Sequence, residues 1–246
     1  MKNERYRNEW KYLISPGEHL LLRPRLETVM QLDSHAKNGG YTIRSLYFDD
    51  FGNTAYEEKE DGVLLRKKYR IRIYNFSDST IKLERKKKVG SYIYKEDAPL
   101  TRAQVEDILN GRYDFLLKSP HSLCKEFYIE CICHGMRPRT IVDYEREPWI
   151  MEPGTVRLTF DSEVRAAIGG WDIFDPGLPT LRVLEPGKLV MEVKFTELLP
   201  QIVRELIPPD ASEFTAVSKY VLCREKTQYL FGEEYWFDTE GGRFEH

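Results

Sequence analysis

Polar and apolar residues alternate over five to nine positions through most of this chain, the pattern of strands that bury one face. The spacing predicts strands over 6–14, 41–49, 63–75, 80–87, 91–96, 126–134, 139–147, 155–161 and 189–195. Helical periodicity appears only between them. It predicts helices over 17–34, opened by Pro16; 101–110, where Thr101 caps and Asn110-Gly111 stops; 197–207, ended by Pro208-Pro209; and 212–228. Ser77-Asp78-Ser79 between two strands reads as a hairpin turn. The expected class is α+β: a mainly antiparallel sheet protein with added helices.

The polar faces of these strands are unusually charged. Arg66, Lys68, Arg70 and Arg72 fall two apart, with Tyr69, Ile71 and Ile73 between them, so a strand projects all four cations from one face. Arg7, Glu9 and Lys11 share a face of the first strand; Lys82, Glu84 and Lys86 share another, as do Arg157, Thr159 and Asp161, and Glu192 and Lys194. Like charges on one face repel unless that face is wet or holds a multiply charged anion. Two arrangements meet the condition. Either a sandwich turns its charged faces to solvent, or a barrel is charged inside and apolar outside, with the amphipathic helices covering its outer wall.

Composition narrows the choice. From Arg66 to Lys88 ten Lys or Arg face only Asp78 and Glu84, a local +8 in a chain of net charge −3, so the positive charge is concentrated by position. The sequence pI of about 6.0 does not suit an open nucleic-acid footprint. At 246 residues, with 41% hydrophobic and 13% aromatic content, the chain is long and apolar enough for one substantial core. No apolar run approaches the roughly 20 residues of a membrane span, and MKNERYRNEW lacks a signal-peptide core. The cytoplasm is the expected location. Cys124, Cys131, Cys133 and Cys223 include no CxxC pair and are expected as reduced thiols, with Cys131 and Cys133 on one side of a strand. The five histidines show no HExxH spacing, and there is no GxxxxGK[ST] loop or nucleophile elbow. Residues 225–246 are expected to form an acidic tail after a domain spanning 1–224.

Eight segments in order, RNEWKYLI, YTIRSLYFDD, YRIRIYN, IKLERKKK, RPRTIVDYERE, VRLTFD, MEVKF and FTAVSKY, resemble a VTC-type polyphosphate polymerase domain, a branch of the triphosphate tunnel metalloenzymes. The resemblance covers roughly residues 5–224. It implies a closed tunnel of eight antiparallel strands with a basic interior that takes ATP and inorganic polyphosphate. Position by position it implies phosphate binding by Lys11, Arg70, Arg72, Lys86, Arg146, Arg157, Lys194 and Lys219, with Ser218 donating a hydrogen bond beside Lys219. Arg70, Arg72, Lys86, Arg157 and Lys194 would be catalytic, and Glu192 would hold Mn²⁺ or Mg²⁺. The division suits the groups: Arg is a planar fork for phosphate oxygens, Lys a mobile point charge, and a carboxylate a hard ligand.

Two points stay open at this level. Alternation groups Arg146 with Val142 and Tyr144 and away from Arg139, so either a bulge rephases that strand or Arg139 is the inward residue. Glu9 and Glu84 are internal counter-charges or further metal ligands. Lys67, Lys87 and Lys88 are expected outside or at a strand end, as ordinary solvated charges. Arg7 stands where the wider superfamily carries the first Glu of Glu-x-Glu-x-Lys, which weakens a two-metal hydrolase. The implied activity is transfer of the ATP terminal phosphoryl group to a polyphosphate chain. Its alternatives are a tripolyphosphatase or nucleoside triphosphatase of the same fold, and a non-catalytic polyphosphate-binding module.

Overall fold

The computed structural model describes residues 8–36, 39–90, 92–151, 156–196, 198–207, the backbone of 213–214, and 217–228. Arg7 and nearly all of the expected acidic tail lie outside these residues. The strands are β1 (Asn8–Ile14), β2 (Gln31–Leu32), β3 (Tyr41–Asp49), β4 (Leu65–Tyr74), β5 (Ser77–Val89), β6 (Tyr92–Leu100), β7 (Arg137–Met151), β8 (Val156–Ala167), β9 (Thr180–Arg182), β10 (Leu189–Phe195) and β11 (Glu213–Phe214). The helices are α1 (Pro16–Leu26), α2 (Thr54–Glu60), α3 (Arg102–Leu109), α4 (Ser122–Cys133), α5 (Gln201–Leu206) and α6 (Lys219–Thr227).

The expected closed barrel of eight strands is not seen among the described residues. Among the described residues eleven strands make one antiparallel sheet in the order β11-β1-β10-β8-β7-β3-β4-β5-β6, with β2 on β7 and β9 on β8. No backbone ladder joins β6 to β1 in that order. The sheet curls with its twist, and Glu9 of β1 reaches Lys86 of β5 at 2.8 Å. A side-chain ion pair stands where closure by hydrogen bonds was expected.

The outer face is apolar, as the alternation requires. Phe48, Tyr69, Ile71 and Leu83 pack with Val105 and Ile108 of α3 and Leu123 and Phe127 of α4. Leu158, Phe160, Met191 and Val193 pack with Leu22 and Leu26 of α1 and Val203 of α5. Two helices depart from the expectation that helices lie outside: α6 places Tyr220, Val221 and Cys223 against Ile43, Tyr47, Val142 and Tyr144 on the inner face, and α2 packs Tyr56 on the same cluster.

Four local expectations change. Residues 126–134 belong to α4, not to a strand. Phe127, Ile129, Cys131 and Cys133 fall two apart, yet Ile129 is 51% exposed, and the buried set Leu123, Cys124, Phe127, Glu130 and Cys131 follows the helical period. Cys131 is therefore buried and Cys133 exposed, and all four cysteines are free. The β4–β5 turn is Asn75-Phe76, with φ of 51° and 56°, the primed two-residue loop whose twist matches its strands. Ser77 already belongs to β5. The helix expected over 17–34 ends at Leu26, because Gln31 and Leu32 pair with Ile150 and Trp149 of β7. Of the helix expected over 212–228, Glu213–Phe214 is instead a strand, α6 is Lys219–Thr227, and 212, 215 and 216 lie outside the described residues.

Candidate functional site

The inner face encloses a cavity of about 410 Å³. Eleven lysines and arginines line it against two glutamates, Glu9 and Glu192. β4 supplies Arg66, Lys68, Arg70 and Arg72, so the two-residue phase read from the sequence does bring four cations to one wall. Lys86 and Lys88 come from β5, Lys11 from β1, Arg146 from β7, Lys194 from β10, Lys59 from α2 and Lys219 from α6.

Buried carboxylates hold these cations apart. Glu84, 1% exposed, takes Arg70 at 2.6 Å, Lys95 at 2.5 Å and Arg72 at 3.8 Å. Asp161 takes Arg146 through two bonds of 2.7 Å, and Lys219 at 2.6 Å. Glu192 sits among four cations: Lys194 at 2.7 Å, Lys219 at 2.9 Å, Arg146 at 3.4 Å and Lys11 at 3.6 Å. Burial opposes the charge on each carboxylate, but the adjacent ammonium and guanidinium groups outweigh it and hold Glu84, Asp161 and Glu192 below the usual carboxylate range. Lys86 and Lys11 do the same for Glu9.

Counter-charge runs short toward the start of β4. Burial, with Lys59 and Arg66 beside it, lowers the Lys68 ammonium to about 7. Its Nζ lies 4.4 Å over the Tyr220 ring. Burial also lowers Lys86 to about 8, because Lys11 and Lys194 offset part of the support from Glu9. Lys219 moves the other way: burial disfavours its charge, but Asp161 and Glu192 raise it. Hydroxyls complete the inner wall. Arg70 donates to the Tyr47 hydroxyl at 2.7 Å, and Arg72 to Ser45 Oγ at 3.1 Å and the Tyr144 hydroxyl at 3.2 Å.

Nearly all residues expected to bind phosphate meet here. Lys11, Arg70, Arg72, Lys86, Arg146, Lys194, Ser218 and Lys219 all line the cavity. Arg157 is not among its lining residues; its Nη2 donates to Asp33 at 3.0 Å and the Tyr41 hydroxyl at 3.1 Å. Ser218 caps α6, its Oγ accepting the Val221 N–H at 3.4 Å. The hydroxyl proton is not used in that bond.

Of Arg139 and Arg146 it is Arg146 that lines the cavity, on a strand whose register shifts against β8 between Asp143 and Glu145 and against β3 at Arg139. Tyr144 itself lines the cavity, so alternation puts Arg146 inward beside it; a tyrosine at that position marks the inner face, not the outer one. Register shifts on the β3 side between Tyr47 and Phe48, where Thr140 and Pro138 are their partners. Arg139 falls in that step and lines a separate pocket with Arg224 and Trp171. Lys88, expected outside or at a strand end as a solvated charge, is next to last in β5, shares the phase of Lys86 and lines the cavity. Lys59 was missed because α2 gives only seven residues of weak pattern, and Asp161 because its charged partners come from β7 and α6.

Among the described residues no group of three or more His, Cys, Asp or Glu side chains is placed to hold a metal ion. No helix among the described residues is long and apolar enough to cross a membrane. The model of one protein family, described as the VTC domain, matches residues 6–227. No curated protein sequence matches significantly. Among solved structures, HpAC1 from Hippeastrum, described as an adenylyl cyclase candidate with a dominant triphosphatase activity, is 17% identical, with a TM-score of 0.52 over 89% of this chain and 95% of that one. A Pyrococcus horikoshii protein is 16% identical, with a TM-score of 0.47 over 90% of this chain and 99% of that one. The Hippeastrum likeness shows a shared fold.

Proposed function

Because this chain belongs to the VTC domain family, we propose that it transfers the terminal phosphoryl group of ATP to a polyphosphate chain in the cationic cavity. The observation that carries this reading is the charge of that cavity, eleven cations to two glutamates on seven separate elements. Lysines lowered to about 7 and about 8 mark a wall with too little counter-charge, and a polyanion would supply it.

The terminal oxygen of the chain attacks the γ-phosphorus, the bond between that phosphorus and the β,γ-bridging oxygen breaks, and ADP leaves. Such transfers have a loose transition state with charge on peripheral oxygens, so fixed donors can carry the catalysis. Arg70 and Arg72 present guanidinium forks fixed from behind by Glu84, Tyr47, Ser45 and Tyr144. Arg146 is fixed by Asp161, while Lys11, Lys86, Lys194 and Lys219 supply more mobile charge.

The family implies a divalent metal. The donor chemistry fits an ion bound by one or two carboxylates and by substrate phosphates, as Mg²⁺ commonly is: Glu192 offers hard oxygens, and Lys11 lies between it and Glu9, at 3.6 Å and 3.4 Å. Glu192 would hold Mg²⁺ or Mn²⁺, which when bound neutralises charge on the transferring phosphates. The four cations now on Glu192 would pass to phosphate oxygens.

Incubation with ATP and Mn²⁺ or Mg²⁺, with products resolved by length, tests the reading. Chains that lengthen as ADP appears are the expected result. Orthophosphate without longer chains would make water the acceptor, and tight polyphosphate binding without turnover would leave a binding module.

A further inference from the structure

Asp49 ends β3 with 1% of its surface exposed and is not among the cavity-lining residues. Its Oδ1 accepts the N–H groups of Asp50 at 3.0 Å and Ala55 at 2.9 Å. Its Oδ2 accepts the Tyr56 N–H at 3.1 Å and the Tyr220 hydroxyl at 2.6 Å. One carboxylate therefore joins the end of a strand, the first turn of α2 and the first turn of α6. Arg224 of α6 adds a second tie, donating to Asn53 Oδ1 at 2.7 Å just before α2.

Each joined element brings a cation to the cavity. α2 brings Lys59, and α6 brings Lys219. The Tyr220 ring lies under Lys68 at 4.4 Å and packs 5.0 Å from the ring of Tyr47, which holds Arg70. Lys59 and Lys68 are half-buried, whereas Arg72, Arg146 and Lys219 are buried, so the tie to Asp49 governs the more open part of the wall. A carboxylate suits the position because four donors converge on it; an amide would turn a donor of its own toward two of them.

We infer that Asp49 is a positioning residue for the cavity mouth, holding Lys59 and Lys68, through α2 and Tyr220, where they meet the part of a long polyanion beyond the buried cations. The inference rests on the polyphosphate reading above.

Two variants test it, Asp49→Asn and Tyr220→Phe; the second keeps the ring under Lys68 and removes only the hydrogen bond. Each is titrated without metal against tripolyphosphate, short enough for the buried cations, and against long-chain polyphosphate. Both variants are expected to lose on the order of tenfold in long-chain affinity, the scale of one charge-assisted contact, while tripolyphosphate affinity stays within about twofold. General loosening of the fold would weaken both ligands together, and that result overturns the inference, as does unchanged long-chain binding. If Asp49→Asn does not fold, Tyr220→Phe decides by the same comparison. Wild-type protein that binds neither ligand would overturn the proposed function and this inference with it; wild-type binding with unaltered variants would overturn the inference alone.

Discussion

Glu192 is shared by four cations, so removing its charge acts on the empty and the occupied protein in opposite ways. Glu192→Gln leaves Lys11, Arg146, Lys194 and Lys219 short of a buried partner, and the empty protein should lose about 3–5 kcal/mol. Polyphosphate should recover much of that loss, while metal-dependent turnover falls sharply. Thermal melts with and without polyphosphate, beside a turnover assay, check this; full turnover in the variant would return Glu192 to a purely structural ion pair. Arg72→Ala should weaken polyphosphate binding by about 1.5–3 kcal/mol, on the order of 10- to 150-fold. Arg157→Ala should change it by only a few fold, because that side chain is 40% exposed and engaged by Asp33. An Arg157 effect equal to that of Arg72 would mean that the ligand extends beyond the cavity. Individual side chains were legible along β4, where charge alternates with apolar residues, but not on β8, where the same alternation does not carry Arg157 to the cavity. Legibility failed at Tyr144, whose ring and hydroxyl serve an apolar and a polar wall at once.

Among the elements, α6 has the most influence on the site, because it packs inside the curl, is capped by Ser218 and opens with Lys219. Ser218→Ala removes the N-cap and should cost about 1 kcal/mol, a few degrees in Tm, with weaker polyphosphate binding as Lys219 loses its anchorage. Calorimetric melts and a binding titration measure the two effects separately; a lower Tm with unchanged affinity would show that the cap serves the helix alone. Strands were readable from the sequence because each presents one apolar and one polar face. α4 was not, since Phe127, Ile129, Cys131 and Cys133 satisfy a strand pattern and only their packing against Tyr69 and Phe48 separates the buried pair from the exposed one. The curl of the sheet could not be read from alternation either, since that assigns faces and not which edges meet.

For the molecule as a whole, the cavity makes stability and affinity respond to pH in opposite directions. Lys68 and Lys86 lie at about 7 and about 8, below the roughly 10.4 of lysine in an unfolded chain. Between about pH 7 and 10 the unfolded chain therefore binds more protons, and these two groups make the empty protein more stable as pH rises. Lys11 and Lys219 are raised, so their contribution is complete below that window and declines only above it. Polyphosphate affinity should fall across the window, with proton uptake on binding near pH 8. Titration calorimetry in buffers of different ionisation enthalpy measures the uptake, and binding without it would contradict the crowding described here. At the acid end Glu9, Glu84, Asp161 and Glu192 are depressed, so their stabilisation is present above about pH 4 and lost as pH falls further. Ligand at about 100 times its dissociation constant should add about 2.7 kcal/mol.

The carboxylates behind the cations also bear on movement. A phosphate entering this cavity does not meet bare charges; it competes with Glu84, Asp161 and Glu192 for arginines and lysines that already have partners. Arg70, Arg72, Arg146, Lys194 and Lys219 would each leave a carboxylate behind on turning to the polyanion and return to it on release. Successive positions of a repeating polyanion would then differ little in energy. On the polymerase reading, such a wall would hold a long chain at many points and let it advance by one phosphate after each transfer.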